Sequence, residues 1–306
     1  MKYLVRQAKV LVYFLLIFVI IYTLSLTITT PVLSPTMEIN ILGSTESEST
    51  DLENFVSYQL SSPSYDTKLR AAGYAVLNLH TDSILTKSHS DIPLPIASLT
   101  KLMTAWVTLK YGSLNDSYIV RSSDLEPTSP SLNLQVGDEI KVQDLLNAML
   151  IGSNNDAAKA LAGYIEQKTN LKFTNLMNQE AKNLKMNNSR YSNSIGFDSN
   201  TNYSSVDDIA ILVQALLPTQ IFEQTNRQSS YQFKSLSEHT YTTTATNKLI
   251  ATYPDLHAIK TGFTNTALGS MVNLLTYHDQ TYLLIVVGSS DREADTLELR
   301  NLVIKQ

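Results

Sequence analysis

Read from its N-terminus, the 306-residue chain opens on an unbroken apolar pattern rather than a periodic one. Residues 10–28 are apolar except for Thr23, Ser25 and Thr27. These 19 residues approach the ~20 that cross a bilayer as a helix. Lys2, Arg6 and Lys9 precede them with no acidic residue between. The positive-inside rule keeps such a tip in the cytoplasm and places the rest of the chain outside. The run is longer than the apolar core of a cleaved signal peptide, and no A-x-A comes after it. The pattern therefore predicts an uncleaved signal anchor over 1–28, and a cleaved signal would equally export the protein. Over 29–66 all periodicity is lost and Ser, Thr and Pro dominate. That composition predicts a flexible stalk.

From residue 67 onward two periods alternate. Residues 73–79 (GYAVLNL) read as a strand, 80–83 as a turn and 84–86 as the returning strand. The period then lengthens. Leu99, Leu102, Met103, Trp106 and Val107 fall at i, i+3, i+4, i+7 and i+8 of one helix face. Further helices are predicted over 142–150, after Asp156, over 173–185, over 205–217 and over 291–304. Apolar strands are predicted over 256–263, 268–277 and 281–288. Strands at both ends with helices between predict an α+β fold. Its antiparallel sheet is built from N- and C-terminal strands and flanked by helices.

Composition narrows the chemistry. Hydrophobic residues are 43% and charged residues 17%, with a net charge of −5. A wholly disordered chain is excluded by that balance. With no surplus of Lys and Arg, nucleic acid is not an expected partner. Because Lys2, Arg6 and Lys9 give the tip +3, the remainder carries −8. There is no cysteine, which removes disulfides, thiolate metal sites and a cysteine nucleophile. The five histidines are scattered, with no H-E-x-x-H. G-x-S-x-G and P-loop strings are likewise missing. No metal or cofactor is expected.

Three short motifs carry the candidate chemistry. Ser98-Leu99-Thr100-Lys101 places a hydroxyl and an amine one helical turn apart. A serine is a poor nucleophile until a base takes its proton, and a lysine is a base only when desolvation or a nearby cation leaves it neutral. Ser153-Asn154-Asn155 lies in a loop between helices, where a Ser/Asn pair can relay a proton and hold an amide. Lys260-Thr261-Gly262 lies on the first late strand, where lysine and threonine can bind a carboxylate. Glycine there lets a substrate backbone approach. Each alone has a plain structural explanation: an N-cap serine, a polar turn, a charged edge strand. Together, in this order and spaced by 55 and 107 residues, they resemble the set shared by penicillin-binding proteins and class A β-lactamases.

The resemblance extends across roughly 67–304. Residues 95–104 (PIASLTKLMT) resemble the active-serine segment of the low-molecular-mass penicillin-binding proteins, which are serine-type D-alanyl-D-alanine carboxypeptidases. Residues 145–158 are similar to their second segment, 191–198 (YSNSIGFD) to their N-x-x-G-L/F-D loop, and 246–249 and 259–264 to the segments around their third motif. The resemblance implies Ser98 as the acylated nucleophile, Lys101 as its base and Ser153 as a proton relay. Asn155 would bind the substrate amide, Lys260 would supply positive charge, and Thr261 would hold the terminal carboxylate beside Gly262. Backbone N–H groups of Ser98 and Phe263 would form the oxyanion hole, with Arg292 attracting the carboxylate. The substrates implied are peptidoglycan stem peptides, with β-lactams as inhibitors and the membrane reached through the N-terminal helix.

Two departures from the family stand out. Ala258 takes a place where many relatives carry glycine, and it is expected to narrow the strand edge. No β-rich C-terminal domain or amphipathic C-terminal helix is expected, the N-terminal anchor taking over attachment. The alternatives are a class A-like β-lactamase and a catalytically inactive wall-binding protein. For the former, Glu166 and Asn170 match E-x-x-x-N but fall only 13 and 17 residues after Ser153, and Glu166 is expected to face solvent. Intact Ser98, Lys101, Ser153, Asn155 and Lys260 argue against the latter.

Overall fold

Residues 69–305 are described in the computed structural model; the expected signal anchor and the stalk lie outside them. In chain order the elements are β1 (Gly73–Asn78), β2 (Ser83–Ser88), α1 (Thr100–Tyr111), β3 (Ser117–Ile119), β4 (Glu139–Lys141), α2 (Val142–Gly152), α3 (Asn155–Thr169), α4 (Phe173–Asn183), α5 (Val206–Leu216) and α6 (Ile221–Thr225). Next come β5 (Ser230–Lys234), β6 (Thr240–Thr244), β7 (Leu256–Thr264), β8 (Leu268–Tyr277), β9 (Gln280–Ser289) and α7 (Arg292–Ile304).

The main sheet is antiparallel in the order β2-β1-β9-β8-β7, joining both ends of the described chain. Its central strands are apolar on both faces, so alternate residues enter two different cores. Ala75, Ile285, Val287, Leu283 and Val272 face one core with the apolar sides of α1, α2, α3 and α5. Val76, Leu284, Val286, Met271 and Leu275 face another, closed by Leu299 and Val303 of α7. This is the expected α+β arrangement, and it leaves β7 at the edge beside the helices.

Two corrections concern boundaries. Ser98 does not begin an α-helix: Ala97–Leu99 form a 3-10 turn, α1 starts at Thr100, and its N-cap is Leu99. The serine hydroxyl is therefore not consumed as a cap. The third helix starts at Asn155, one residue before Asp156.

The β3–β4 and β5–β6 pairs and short α6 were not anticipated. β3 and β4 have three residues each and pair across a long gap, so no local period marks them. The β5–β6 hairpin is held by rings from both strands. Tyr231 and Phe233 lie 5.7 Å apart, and Phe233 and Tyr241 5.4 Å, distances at which aromatic pairs attract.

Helix α1 is braced by one buried carboxylate. Glu180 on α4 accepts Trp106 Nε1 at 3.0 Å, Lys110 Nζ at 2.6 Å and Tyr111 Oη at 2.7 Å. Truncating one side of a buried charge network leaves the other groups unpaired. Glu180→Ala is expected to lower stability by about 3 kcal/mol, read as a reduced denaturant midpoint, whereas Glu180→Gln should lose less because it keeps an acceptor.

Candidate active site

The site is assembled from four places on the fold: the 3-10 turn before α1, the α2–α3 junction, the loop at 193–198, and the edge strand β7. Ser98 and Lys101 lie on successive turns, and Lys101 is fully buried. Its Nζ lies 2.9 Å from Ser98 Oγ, 2.8 Å from Asn155 Oδ1 and 2.6 Å from the Ile195 carbonyl. An amide oxygen and a backbone carbonyl can only accept. A neutral amine has two N–H donors and one lone pair, so those two acceptors use both donors. The lone pair is left for the Ser98 hydroxyl.

Burial pushes the Lys101 amine down from 10.5 to about 7, against the opposing pull of the Asp156 charge. That displacement favours the neutral amine by about 5 kcal/mol. Burial thereby brings the amine into the range where its neutral form is well populated near pH 7.

The Ile195 carbonyl is held from both sides. Asn193 Oδ1 accepts the N–H groups of Ile195, Gly196 and Phe197 at 3.2, 2.6 and 3.1 Å. Thr104 of α1 donates to the Ser194 carbonyl at 2.7 Å. Gly196 has φ +92°, and a Cβ there would meet the Ala97 carbonyl oxygen at 2.0 Å. Glycine is required for the loop to lie against the turn that presents Ser98.

At the α2–α3 junction Ser153 is the C-cap of α2 with φ +60°. This left-handed residue reverses the chain so that α3 begins two residues later. Ser153 Oγ accepts Lys260 Nζ at 2.8 Å, and Lys260 also donates to the Thr261 carbonyl at 2.8 Å. Asn155 Nδ2 donates to the Thr128 carbonyl at 3.3 Å. Asp156 fixes the facing loop, accepting Ser131 Oγ at 2.6 Å and the N–H groups of Leu132 and Leu134.

On β7 the register against β8 shifts between Ala258 and Lys260, with Ile259 turned into the core and Lys260 buried against Ser153. Burial first, then the charges of Lys101 and Arg292, push Lys260 well below the ordinary lysine range. The expected standing positive charge on Lys260 is therefore disfavoured in the free site, and an arriving anion would restore it. Gly262 abuts the Ser98 backbone: a Cβ on it would lie 3.0 Å from Ser98 N. Arg292 Nη1 donates to the Gly262 carbonyl at 2.8 Å, which brings the arginine to this strand. Phe263 turns its side chain outward, 62% exposed. Ala258 donates its N–H to the Asn226 carbonyl at 2.9 Å, covering the edge at that point.

Ser98, Lys101, Ser153, Asn155 and Lys260 are thus linked by direct contacts into two serine–lysine pairs, with Thr261, Gly262 and Arg292 alongside. The Ile195 carbonyl, Thr128 and Asp156 were not anticipated from the motifs. The N-x-x-G string marks the loop but not which carbonyl it delivers. Glu166 is corrected: it is half-buried, and its Oε1 accepts the Phe173 N–H at 2.8 Å at the start of α4. A cavity of about 580 Å3 between Asp116, Tyr118, Arg121, Glu139 and Lys168 contains none of the site residues.

The model of peptidase family S11, described as D-alanyl-D-alanine carboxypeptidase, matches residues 59–291. The chain belongs to that family. The D-alanyl-D-alanine carboxypeptidase DacF of Bacillus subtilis is 26% identical over 244 residues, covering 77% of this chain and 62% of that protein. The chain thus spans less than two thirds of that S11 relative's length. The D-alanyl-D-alanine endopeptidase of Escherichia coli is 30% identical over 244 residues, 76% of this chain and 77% of its own. The crystal structure of the Streptomyces K15 DD-transpeptidase matches with a TM-score of 0.73 at 24% identity, covering 79% of this chain and all of that one. At that identity the likeness shows the shared fold.

Lys101 generates the first test at the site. In the folded protein its ε-carbon resonance is expected to titrate with a midpoint near pH 7, charged below and neutral above. A midpoint near that of a free lysine would contradict the desolvation argument.

Proposed function

We propose that this S11 peptidase is an exported, membrane-tethered serine D-alanyl-D-alanine carboxypeptidase. It removes the terminal D-alanine of peptidoglycan stem peptides through an acyl-enzyme on Ser98, and penicillin acylates the same serine. The observation that carries this is the Lys101 amine, fully buried, 2.9 Å from Ser98 Oγ and with its other two neighbours acceptors only. In this reading neutral Lys101 takes the Ser98 proton as Oγ attacks the penultimate carbonyl. The oxyanion is received by the N–H groups of Ser98 and Phe263, Phe263 being next in sequence to Gly262, whose added Cβ would lie 3.0 Å from Ser98 N. Ser153, bonded to Lys260, gives a proton to the departing D-alanine amine, and the C–N bond breaks. Ser153 is reprotonated from Lys101, and water then attacks the ester, its proton passing to Lys101 and on to Ser98 Oγ as the ester bond breaks. Asn155 holds the substrate amide, while Thr261 and Arg292 attract the terminal carboxylate.

The apolar run at 10–28 behind a basic tip supports attachment to the membrane on its outer face. In this organisation 29–66 is the stalk and 67–306 the catalytic domain. The β-lactamase alternative needs a carboxylate beside the acylated serine; Glu166 makes no hydrogen bond to Ser98, Lys101 or Ser153 among the described residues, its Oε1 accepting the Phe173 N–H instead.

The full chain in detergent is expected to bind labelled penicillin stably and to release D-alanine from a D-Ala-D-Ala pentapeptide, with Ser98→Ala doing neither. Acylation by Ser98→Ala, or rapid penicillin turnover by the wild type, would overturn the assignment. A cross-linked peptide belongs in the same assay, since one relative is named an endopeptidase.

A second test concerns the base. The acylation rate should rise with pH through about 7, because the reactive form is the one that has lost its proton. Lys101→Arg keeps the charge but cannot become neutral, so it should cost roughly 1,000-fold in acylation rate.

A further inference from the structure

We infer that Thr246 is a second carboxylate-binding hydroxyl, a specificity residue by which the site distinguishes a peptide ending in a free carboxylate from one that continues. The inference rests on the carboxypeptidase reading and deepens it. Thr246 lies in the segment between β6 and β7, outside the three motifs. Its Oγ1 is 2.5 Å from Thr261 Oγ1, and neither hydroxyl has another partner among the described residues.

Two hydroxyls facing each other hold two protons between them. In the free site one proton bridges the oxygens and the other is unengaged. A carboxylate has two acceptor oxygens, so an arriving carboxylate lets each hydroxyl rotate and donate to one of them. The self-contact is exchanged for two charge-assisted hydrogen bonds, which are shorter and stronger than neutral ones. An amide in the same place is uncharged and offers a single acceptor oxygen. It loses the charge assistance from the two hydroxyls.

The surroundings favour an anion. Lys260 Nζ holds the Thr261 carbonyl at 2.8 Å and Arg292 Nη1 the Gly262 carbonyl at 2.8 Å, so a guanidinium and an amine that an anion can recharge are both bonded to the backbone of this strand segment. The frame is fixed as well. Thr246 N–H donates to the Ile151 carbonyl at 3.2 Å, two residues before Ser153. Asn247 donates to Asn273 Oδ1 of β8 at 2.6 Å and accepts the Leu249 N–H at 3.0 Å. Thr246 is half-buried, so its hydroxyl is held in place and still within reach of a ligand. A hydroxyl serving only to prop Thr261 would use the same contact, and the experiment must separate the two roles.

Thr246→Val keeps the shape and the backbone bond but removes the hydroxyl. It is assayed with the D-Ala-D-Ala pentapeptide and with the same peptide amidated at its C-terminus. For the acid, kcat/KM should fall roughly 10-fold, carried by KM, since a hydrogen bond to a charged group is lost. For the amide it should stay within about 2-fold of wild type. Thr246→Ser should restore the acid value, and Thr246→Ala serves as a second deletion if the valine variant folds poorly. An equal fall on acid and amide would show a structural prop and overturn the inference, as would an unchanged acid value. If the wild type neither binds penicillin nor releases D-alanine, the carboxypeptidase reading fails and this inference with it. If the wild type does both and only the variant result is negative, the assignment of Thr246 alone fails.

Discussion

A lysine amine kept out of water is the constraint on which the site depends. Exposed, Lys101 would carry a proton throughout the neutral range and could not accept one from Ser98. Buried, it is brought to about 7, but burial alone would leave unpaired donors in an apolar interior. The Asn155 side chain and the Ile195 carbonyl answer that need. They come from α3 and from the 193–198 loop, so the amine's two donors tie both pieces of chain to α1.

Much of the local structure serves this requirement. Gly196 lets the loop close on Ala97 where any side chain would collide with a carbonyl. Asn193 and Thr104 lock the loop so that the Ile195 carbonyl keeps its direction. Glu180 braces α1 from its far side. The second serine–lysine pair places Ser153 on a left-handed residue and Lys260 on the sheet edge. Because Lys101 depresses Lys260 by its charge, protonation of one opposes protonation of the other.

The edge position of β7 is set by the sheet order, in which β8 and β9 occupy the interior because both their faces are apolar. Only an edge strand can offer its backbone to Ser98 and to a substrate, and Gly262 removes the one Cβ that would crowd that approach. Residues at the other end of the same edge are already occupied, as the Ala258 bond to Asn226 shows.

By itself the sequence determined the elements with strong periods: the strands at both ends, the helices between them, and the three motifs in order. Those patterns are local, written by burial on one face or two, and they were sufficient to select Ser98, Lys101, Ser153, Asn155 and Lys260. Resemblance to a known family added Arg292, which no period marks, and the structure brings it to the Gly262 carbonyl. Tertiary structure alone decided that Ser98 lies in a 3-10 turn rather than capping a helix, that Glu166 accepts the Phe173 N–H at the start of α4, and that Ile195 supplies an acceptor for Lys101. It also decided the pairing of Thr246 with Thr261 and the existence of the three-residue strands. Each of these depends on groups far apart in the chain meeting at hydrogen-bond distance. Such meetings are set by packing of the whole domain, and no local period records them.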